Sequence, residues 1–120
     1  MAQIKNFEDL KSWQKARKLA NLIYGYTAEA PFSKDFELRN QIQRATGSVM
    51  HNIAEGFDAG SNPEFIRFLK IARRSASEVQ SQLYLALDRN YITDSDKQKA
   101  YDMATEIKKL INGLIRYLQK

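Results

Sequence analysis

The chain has 120 residues, 43% of them hydrophobic, and its 19 Lys and Arg against 14 Asp and Glu give a formal net charge of +5. This length suits a single domain with a real core and argues against disorder. The absence of cysteine excludes a disulfide framework and a thiolate metal site, and no apolar run is long enough to span a bilayer. We therefore expect one cytoplasmic, non-membrane domain over residues 1–120, without a secretory signal.

The first predicted helix covers about residues 7–29. Asn6 is a fair N-cap, Glu8 and Asp9 favour the first turn, and Pro31 ends the helix because the residue before a proline avoids the α conformation. Three- and four-residue steps predict one buried face, with Ala16 and Ile23 beside it. The face consists of Leu10, Trp13, Arg17, Ala20, Tyr24 and Thr27. Three further residues widen this apolar surface sideways: Leu19, Leu22 and Tyr26.

The middle two helices are predicted over about residues 34–59 and 62–89. Ser33 is the expected N-cap of the second helix, and Gly60 follows its end. The third helix has the clearest start, because Ser61 and Glu64 form a capping-box pattern with a proline in the first turn. Asn90 can close this helix in the left-handed conformation.

The fourth helix is predicted over about residues 94–119, with Thr93 as its cap and acidic residues in its first turn. Lys108, Lys109 and Arg116 lie toward its C-terminal end, where the helix dipole favours cations. No segment alternates as a strand would. Because the connections are short, we expect an all-α, up-down-up-down antiparallel four-helix bundle.

Enzymatic chemistry has few candidate groups in this chain. His51 is the sole histidine, and neither a metal-binding motif nor a glycine-rich phosphate loop is present. An enzyme would need His51 or Glu55 to act at a pocket. We therefore expect no catalytic residue, no metal and no cofactor.

A polar row follows the second helix beside its apolar face. Arg44 and Arg74 could pair with Glu55 or Glu78 if the second and third helices are neighbours. Such a cluster is either a binding or catalytic site or a satisfied network that fixes helix register, and we favour the second interpretation. The predicted network consists of Arg44, Ser48, Asn52, Glu55, Ser75 and Glu78.

Several short segments form a set of motifs in order along nearly the whole chain. The most specific of them is Asn52-Ile53-Ala54-Glu55-Gly56. The others are Phe7-Glu8-Asp9-Leu10 with Trp13-Gln14, Gln41-Ile42-Gln43-Arg44-Ala45, and Glu64-Phe65 with Phe68-Leu69 and Ile71-Ala72. With these motifs the chain resembles the 23S rRNA-intervening-sequence protein family.

The resemblance implies a left-handed four-helix bundle that assembles as a ring-like homopentamer. It also implies kinship with the accessory proteins of diversity-generating retroelements, which form similar pentamers and engage nucleic acid and a reverse transcriptase. The family's genes were first noticed within insertions in ribosomal RNA genes, which is a gene location and not an activity.

Apolar residues outside the predicted core faces agree with an oligomer. Surplus apolar surface often marks a subunit contact, although a thick monomer core with a few exposed aromatics is the alternative. These residues are Leu19, Leu22 and Tyr26 on the first helix, Tyr84 and Leu85 on the third, and Ile115 and Tyr117 on the fourth.

Two groups of basic residues are candidate nucleic-acid contacts, although each could be only a solvated face. No aromatic residue is interleaved with them, so binding would be directed at phosphates and weakly selective for sequence. The groups are Lys11, Lys15 and Lys18 on the first helix, and Arg67, Lys70, Arg73 and Arg74 on the third. The leading hypothesis is a non-enzymatic homo-oligomeric scaffold that binds RNA or DNA. The alternative is an adaptor that docks a partner protein without binding nucleic acid.

Overall fold

The computed structural model describes residues 4–120, so residues 1–3 of the predicted domain lie outside the described part of the chain. Over this range the protein is all-α with four helices and no strand, as predicted. The helices are α1 (Lys11–Ala28), α2 (Phe36–Phe57), α3 (Asn62–Asp88) and α4 (Asp94–Leu118). Single 3-10 turns, Phe7–Asp9 and Phe32–Lys34, precede α1 and α2.

The four helices pack closely around one core. α1 contacts α2 and α4, and α3 contacts the same two helices. The domain measures 46 × 21 × 20 Å, and its long dimension is close to the ~40 Å length of a 27-residue helix. Fully buried Ile42, Leu69 and Ile107 show that apolar faces of different helices meet inside. None of the described helices is long and apolar enough to cross a membrane.

The start of α1 differs from the prediction. Residues 7–9 form a 3-10 turn, Leu10 is extended (φ −75°, ψ 126°), and the α-helix begins at Lys11. The break places Leu10 in the core and sets the Phe7 ring edge-on to Trp13, with centroids 5.1 Å apart. Burial of these apolar groups outweighs the continuous helix that the local pattern favours.

The start of α2 also differs, because Asp35 and not Ser33 caps it. The Leu38 N–H donates to Asp35 Oδ1 over 3.1 Å, and the Tyr91 hydroxyl donates to Asp35 Oδ2 over 2.9 Å. Phe32 in the preceding turn is fully buried and stacks on Tyr91, with centroids 5.1 Å apart. This contact between distant segments selects the later cap. α2 ends at Phe57, two residues before the predicted end.

The ends of α3 and the start of α4 use the residues expected from sequence. Ser61 Oγ accepts from the Glu64 N–H over 3.3 Å, and Thr93 Oγ1 accepts from the Asp96 N–H over 3.0 Å. Asn90 adopts a φ of 61°. The Asn90 and Tyr91 N–H groups donate to carbonyls of the last turn of α3, which is the Schellman arrangement.

The predicted buried face of α1 is confirmed at Leu10, Trp13 and Thr27 and is wrong at Arg17 and Tyr24. Tyr24 is 53% exposed and Arg17 is also exposed. The face that enters the core consists of Ser12, Trp13, Ala16, Leu19, Ile23 and Thr27. Two rows of α1 have the same spacing, and packing against α2 and α4 selects the row that contains Leu19 and Ile23.

Three of the apolar residues expected to mark a subunit contact are engaged within the chain itself. Leu19 and Ile115 belong to the core. The Tyr26 hydroxyl donates to the Asp96 carbonyl over 2.9 Å, and burial, with a smaller effect of the Asp96 charge, raises the pKa of Tyr26 to about 12. Of the other expected residues, Leu22 is half-buried against the core, and Tyr84, Leu85 and Tyr117 are exposed. Tyr24 and Phe36 are exposed in addition.

Gly56 marks the closest approach between α2 and α3. A Cβ at this position would lie 2.8 Å from Phe68 Cβ and 2.9 Å from Phe65 Cδ1. These distances are shorter than real carbon contacts, so only glycine fits without movement of α3. The end of the Asn52–Gly56 segment therefore has a packing role.

Candidate nucleic-acid interface

Four polar residues form a row on the surface of α3. Lys70, Arg73, Arg74 and Ser77 are separated by three, one and three residues, so they lie on one side of the helix. Leu69, Ala72 and Ala76 lie on the opposite side of α3, and all three are fully buried in the core. The same apolar pattern that anchors α3 thus turns the basic row outward.

α4 supplies two residues beside this row. Lys108 and Asn112 are four residues apart and therefore share a face of α4. Each follows a fully buried isoleucine, Ile107 or Ile111, that holds α4 against the core. Both side chains reach α3 residues, which defines the contact between the two helices on this surface.

Hydrogen bonds to uncharged partners position two of the cations. Arg73 Nη1 donates to Asn112 Oδ1 over 2.7 Å, and Lys108 Nζ donates to Ser77 Oγ over 3.2 Å. Neither partner carries a charge, so these hydrogen bonds do not offset the positive charge of Arg73 or Lys108. Arg73 also retains further N–H groups for another acceptor, because a guanidinium has five.

Together these six residues line an open groove of about 570 Å³, here called the basic groove. Lys70, Arg73, Arg74 and Lys108 contribute four positive charges, and no carboxylate lines the groove among the described residues. Lysine and arginine in such a cluster attract phosphate oxygens, arginine with the added geometry of a two-pronged donor. The arrangement is therefore suited to a polyanion.

Arg67, predicted as part of the same basic group, is engaged elsewhere. Its Nη2 lies 3.0 Å from Glu64 Oε2, and its guanidinium lies 4.5 Å from the centre of the Phe68 ring. The hydrogen bond between Arg67 and Glu64 lowers the pKa of Glu64 and raises the pKa of Arg67. Because its charge is already partnered by a carboxylate, Arg67 is a weaker anion ligand than the groove residues.

The three predicted lysines of α1 do not join the basic groove. Lys11 and Lys18 are exposed, and Lys15 Nζ lies 3.3 Å from Glu106 Oε1 of α4. Lys18 lines a different groove with Trp13 and Arg17. The structure therefore separates the two predicted basic groups, and one member of each is paired with a carboxylate.

The groove residues on α4 were not identified from sequence. The sequence pattern indicates only that Lys108 lies near the C-terminal end of α4, where the helix dipole favours a cation. The four-residue spacing of Lys108 and Asn112 was the available signal, but its use required the register of α4 against α3. The Arg73–Asn112 and Lys108–Ser77 bonds supply that register.

Only part of the predicted polar network is formed. Ser48 Oγ and Ser75 Oγ are 2.8 Å apart, and Asn52 Nδ2 donates to the Ser48 carbonyl and hydroxyl over 2.8 and 3.0 Å. These three residues link α2 to α3. The expected ion pairs are absent within residues 4–120, where Glu55 and Glu78 are exposed and Arg44 and Arg74 are half-buried. Glu78 accepts instead from Gln82 of its own helix, over 3.1 Å.

His51, the sole candidate base, is exposed on α2. Within residues 4–120, no group of three His, Asp or Glu side chains is placed to hold a metal ion. Glu55 does not line the groove that contains His51.

Comparisons with known proteins agree with the resemblance seen in the sequence. A family model described as 23S rRNA-intervening sequence protein matches residues 8–113. A crystal structure of a protein with unknown function, from the S23 ribosomal protein family of Bacteroides thetaiotaomicron VPI-5482, is similar in fold with a TM-score of 0.80. The two chains are 30% identical, and the match covers 88% of this chain and 95% of that one. No curated protein matches this chain. The chain therefore belongs to the 23S rRNA-intervening sequence protein family.

Proposed function

We propose that this protein is a non-enzymatic, homo-oligomeric helical scaffold that binds nucleic acid through phosphate contacts made by the basic groove. The groove carries the proposal, because four cations and no carboxylate of the described chain line it. The chain as a whole has a net charge of +5, which adds long-range attraction for an anionic partner. A chain without cysteine also suits a reducing, cytoplasmic setting.

The groove chemistry favours the nucleic-acid backbone over the bases. Among residues 4–120, no aromatic ring lines the basic groove, so these residues offer no stacking platform for an unpaired base. Arg73 and Lys108 are held by Asn112 and Ser77, which orients their remaining donors without neutralising them. We therefore expect binding that responds to backbone shape, as in structured RNA or duplex DNA, with weak sequence preference.

Oligomerisation is the second part of the proposal. We propose an up-down-up-down bundle that assembles as a homopentamer, as the family resemblance implies. Phe36, which begins α2, is 63% exposed, and Leu85 of α3, which lines a cleft with Leu38, is 43% exposed. Large exposed apolar side chains of this kind favour a subunit contact. Five copies would present five basic grooves, and multivalency would strengthen weak phosphate contacts.

The same exposed residues support a second candidate function, a protein-interaction adaptor. Phe36 and Leu85 could be covered by a different protein instead of by another copy of this chain. In that case the basic groove would be a solvated surface. The two functions differ in whether the purified protein binds nucleic acid at all.

The nucleic-acid proposal is tested by fluorescence anisotropy with a labelled RNA hairpin and a labelled DNA duplex. Lys70→Gln/Arg74→Gln removes two groove charges, and Lys11→Gln/Lys18→Gln is a matched control that removes two exposed charges on α1. We expect the groove variant to weaken binding by roughly tenfold and the control by less than about threefold. Circular dichroism checks that both variants fold. Absence of binding by the unchanged protein at low salt overturns the proposal and favours the adaptor.

Native mass spectrometry tests the assembly separately. Five copies of the 13.9 kDa chain give about 70 kDa. We expect Phe36→Glu/Leu85→Glu to lower the mass of the assembly, because it places charges in an apolar contact. Lys99→Glu is a control on an exposed, charged position. A monomeric native protein at micromolar concentration contradicts the scaffold.

A further inference from the structure

A second open groove, of about 540 Å³, lies between α1 and α2 and is distinct from the basic groove. α1 contributes Tyr24 to it, and α2 contributes one face that includes Asn40, Gln43, Arg44, Gly47 and His51. We call it the α1–α2 groove. Its volume lies within the range of small-molecule sites in proteins. Its side chains differ from those of the basic groove in including a tyrosine ring and an imidazole.

Tyr24 presents an unoccupied aromatic surface. It is 53% exposed, and within residues 4–120 its ring and hydroxyl make no hydrogen bond and no ring or cation contact. The other five tyrosines are engaged: Tyr26 with Asp96, Tyr91 with Asp35 and Phe32, Tyr84 and Tyr101 with each other and Lys97, and Tyr117 in an interaction of its own. An exposed ring of this kind is a stacking surface for a planar group such as a nucleobase.

The two amides are held so that they offer complementary groups. Gln43 Nε2 donates to Thr27 Oγ1 over 2.9 Å, which leaves Gln43 Oε1 as an acceptor. Asn40 Oδ1 accepts from Arg39 Nε over 3.1 Å, which leaves Asn40 Nδ2 as a donor. One donor and one acceptor, fixed by these neighbours, match the mixed hydrogen-bonding edge of a base.

The groove also contains two groups that suit a phosphate. Arg44 and His51 have no hydrogen bond or ion pair within the described residues, and no carboxylate lines the groove there. Gly47 lies between them in sequence and adds no side chain. A Cβ on Gly47 would lie 3.7 Å from the His51 ring, so an alanine fits without a clash but takes up groove space.

We infer that the α1–α2 groove binds one nucleotide unit. Tyr24 stacks on its base, Asn40 and Gln43 contact the base edge, and Arg44 with His51 holds its phosphate. The ligand chemistry is that of a nucleoside monophosphate, either free or as an unpaired residue of single-stranded nucleic acid. This is a base-contacting site, separate from the phosphate-directed basic groove, and it does not depend on the function proposed for that groove.

The sole histidine provides a direct probe of this site. The imidazole Cε1–H signal of His51 is followed by proton NMR while AMP, GMP, CMP, UMP or a six-residue single strand is added to the full-length protein. We expect a saturable shift with at least one mononucleotide. Tighter binding of the single strand identifies an unpaired residue as the ligand, and tighter binding of the mononucleotide identifies the free compound. No saturable shift with any of these probes at millimolar concentration overturns the inference.

Variants separate base contact from simple anion binding. Tyr24→Ala should weaken binding by roughly tenfold, the loss expected for one stacked base. Gly47→Ala should weaken binding while raising the melting temperature, because alanine favours the helix but occupies the groove. Gly113→Ala is the matched control on α4, expected to raise the melting temperature without changing binding. Lys70→Gln/Arg74→Gln should leave mononucleotide binding unchanged. An equal shift with inorganic phosphate alone, unaffected by Tyr24→Ala, overturns the assignment of a base site.

Discussion

Arg73 Nη1 donates a 2.7 Å hydrogen bond to Asn112 Oδ1, which joins α3 to α4 at the basic groove. Arg67, six residues earlier, lies 3.0 Å from the carboxylate of Glu64 instead. The two arginines share a helix but differ in their partners. An amide orients the guanidinium and leaves its charge available, whereas a carboxylate offsets that charge. This difference sets which basic residues of α3 can serve a polyanion.

Substitution of Asn112 tests this relationship. Asn112→Asp keeps the size of the side chain but places a negative charge 2.7 Å from Arg73 Nη1. We expect nucleic-acid affinity to fall by roughly tenfold, because one groove charge is neutralised and a carboxylate faces the phosphates. Asn112→Ala leaves the charge of Arg73 in the groove and removes only the hydrogen bond that positions it, so we expect a smaller loss of affinity. Anisotropy with a DNA duplex measures both. Equal affinities for Asn112→Asp and the unchanged protein contradict the role of the groove.

Gly56→Ala tests the close approach of α2 and α3. The new methyl would lie 2.8 Å from Phe68 Cβ, so we expect a loss of about 1–3 kcal/mol in the free energy of unfolding. Gly113→Ala is the control, because its nearest neighbour, Arg116 Nη2, is 3.8 Å away. Alanine should stabilise that site by about 0.5–1 kcal/mol. Urea denaturation at a fixed protein concentration measures both, and a stabilised Gly56→Ala would contradict the close packing.

Ser48 and Ser75 should be energetically coupled. Ser75 is buried, and its hydroxyl lies 2.8 Å from that of Ser48. We expect each change to alanine to cost about 1 kcal/mol, and the double change to cost less than the sum by about 0.5 kcal/mol or more. Urea denaturation of the four proteins gives the coupling energy. Strict additivity would show that the bond adds nothing to the contact between α2 and α3.

Asp35 should make stability fall in acid. Its pKa is lowered from the usual 3.8, first by the hydrogen bond from the Leu38 N–H and then by the one from the Tyr91 hydroxyl. A carboxyl group whose pKa is lower in the folded state stabilises the fold above its unfolded pKa and loses that effect as the pH falls through its folded pKa. The stabilisation is therefore complete above about pH 4 and declines below it.

Asp35→Asn isolates this effect, because asparagine still caps a helix but does not titrate there. We expect the urea midpoint of the unchanged protein to exceed that of the variant above about pH 4, and the gap to shrink toward pH 2. Glu64, whose pKa is also lowered, is present in both proteins and cancels in the comparison. A gap that stays constant down to pH 2 contradicts the role of the ionised carboxylate.

The helix ends that the sequence predicts correctly are each marked by a single residue of the local sequence. Ser61 and Thr93 are unambiguous N-caps, and Asn90 tolerates the left-handed conformation that ends α3. For the start of α2, the sequence predicts Ser33 as the cap, whereas Asp35 is the cap in the structure. The choice between them depends on Tyr91, 56 residues from Asp35, which no local pattern reveals.

The surfaces of the helices show the same difference between what local spacing predicts and what only the packing of the helices decides. Two adjacent rows of α1 have helical spacing, and only the packed structure shows that Ile23 is inside and Tyr24 outside. The α3 half of the basic groove followed from the spacing of Lys70, Arg73 and Arg74. Its α4 half required the register between helices, because Lys108 lies 31 residues from its partner Ser77.

The salt dependence of binding tests the central claim most directly. The logarithm of the affinity for duplex DNA falls linearly with the logarithm of salt concentration, with a slope of about −0.9 for each phosphate neutralised. Neutralising all four groove cations, Lys70, Arg73, Arg74 and Lys108, to glutamine should reduce the magnitude of this slope by about 3.6 for each groove in contact with DNA. We also expect this variant to bind DNA more weakly than the unchanged protein at low salt. A variant that folds normally and keeps the slope and affinity of the unchanged protein would contradict phosphate binding by the basic groove.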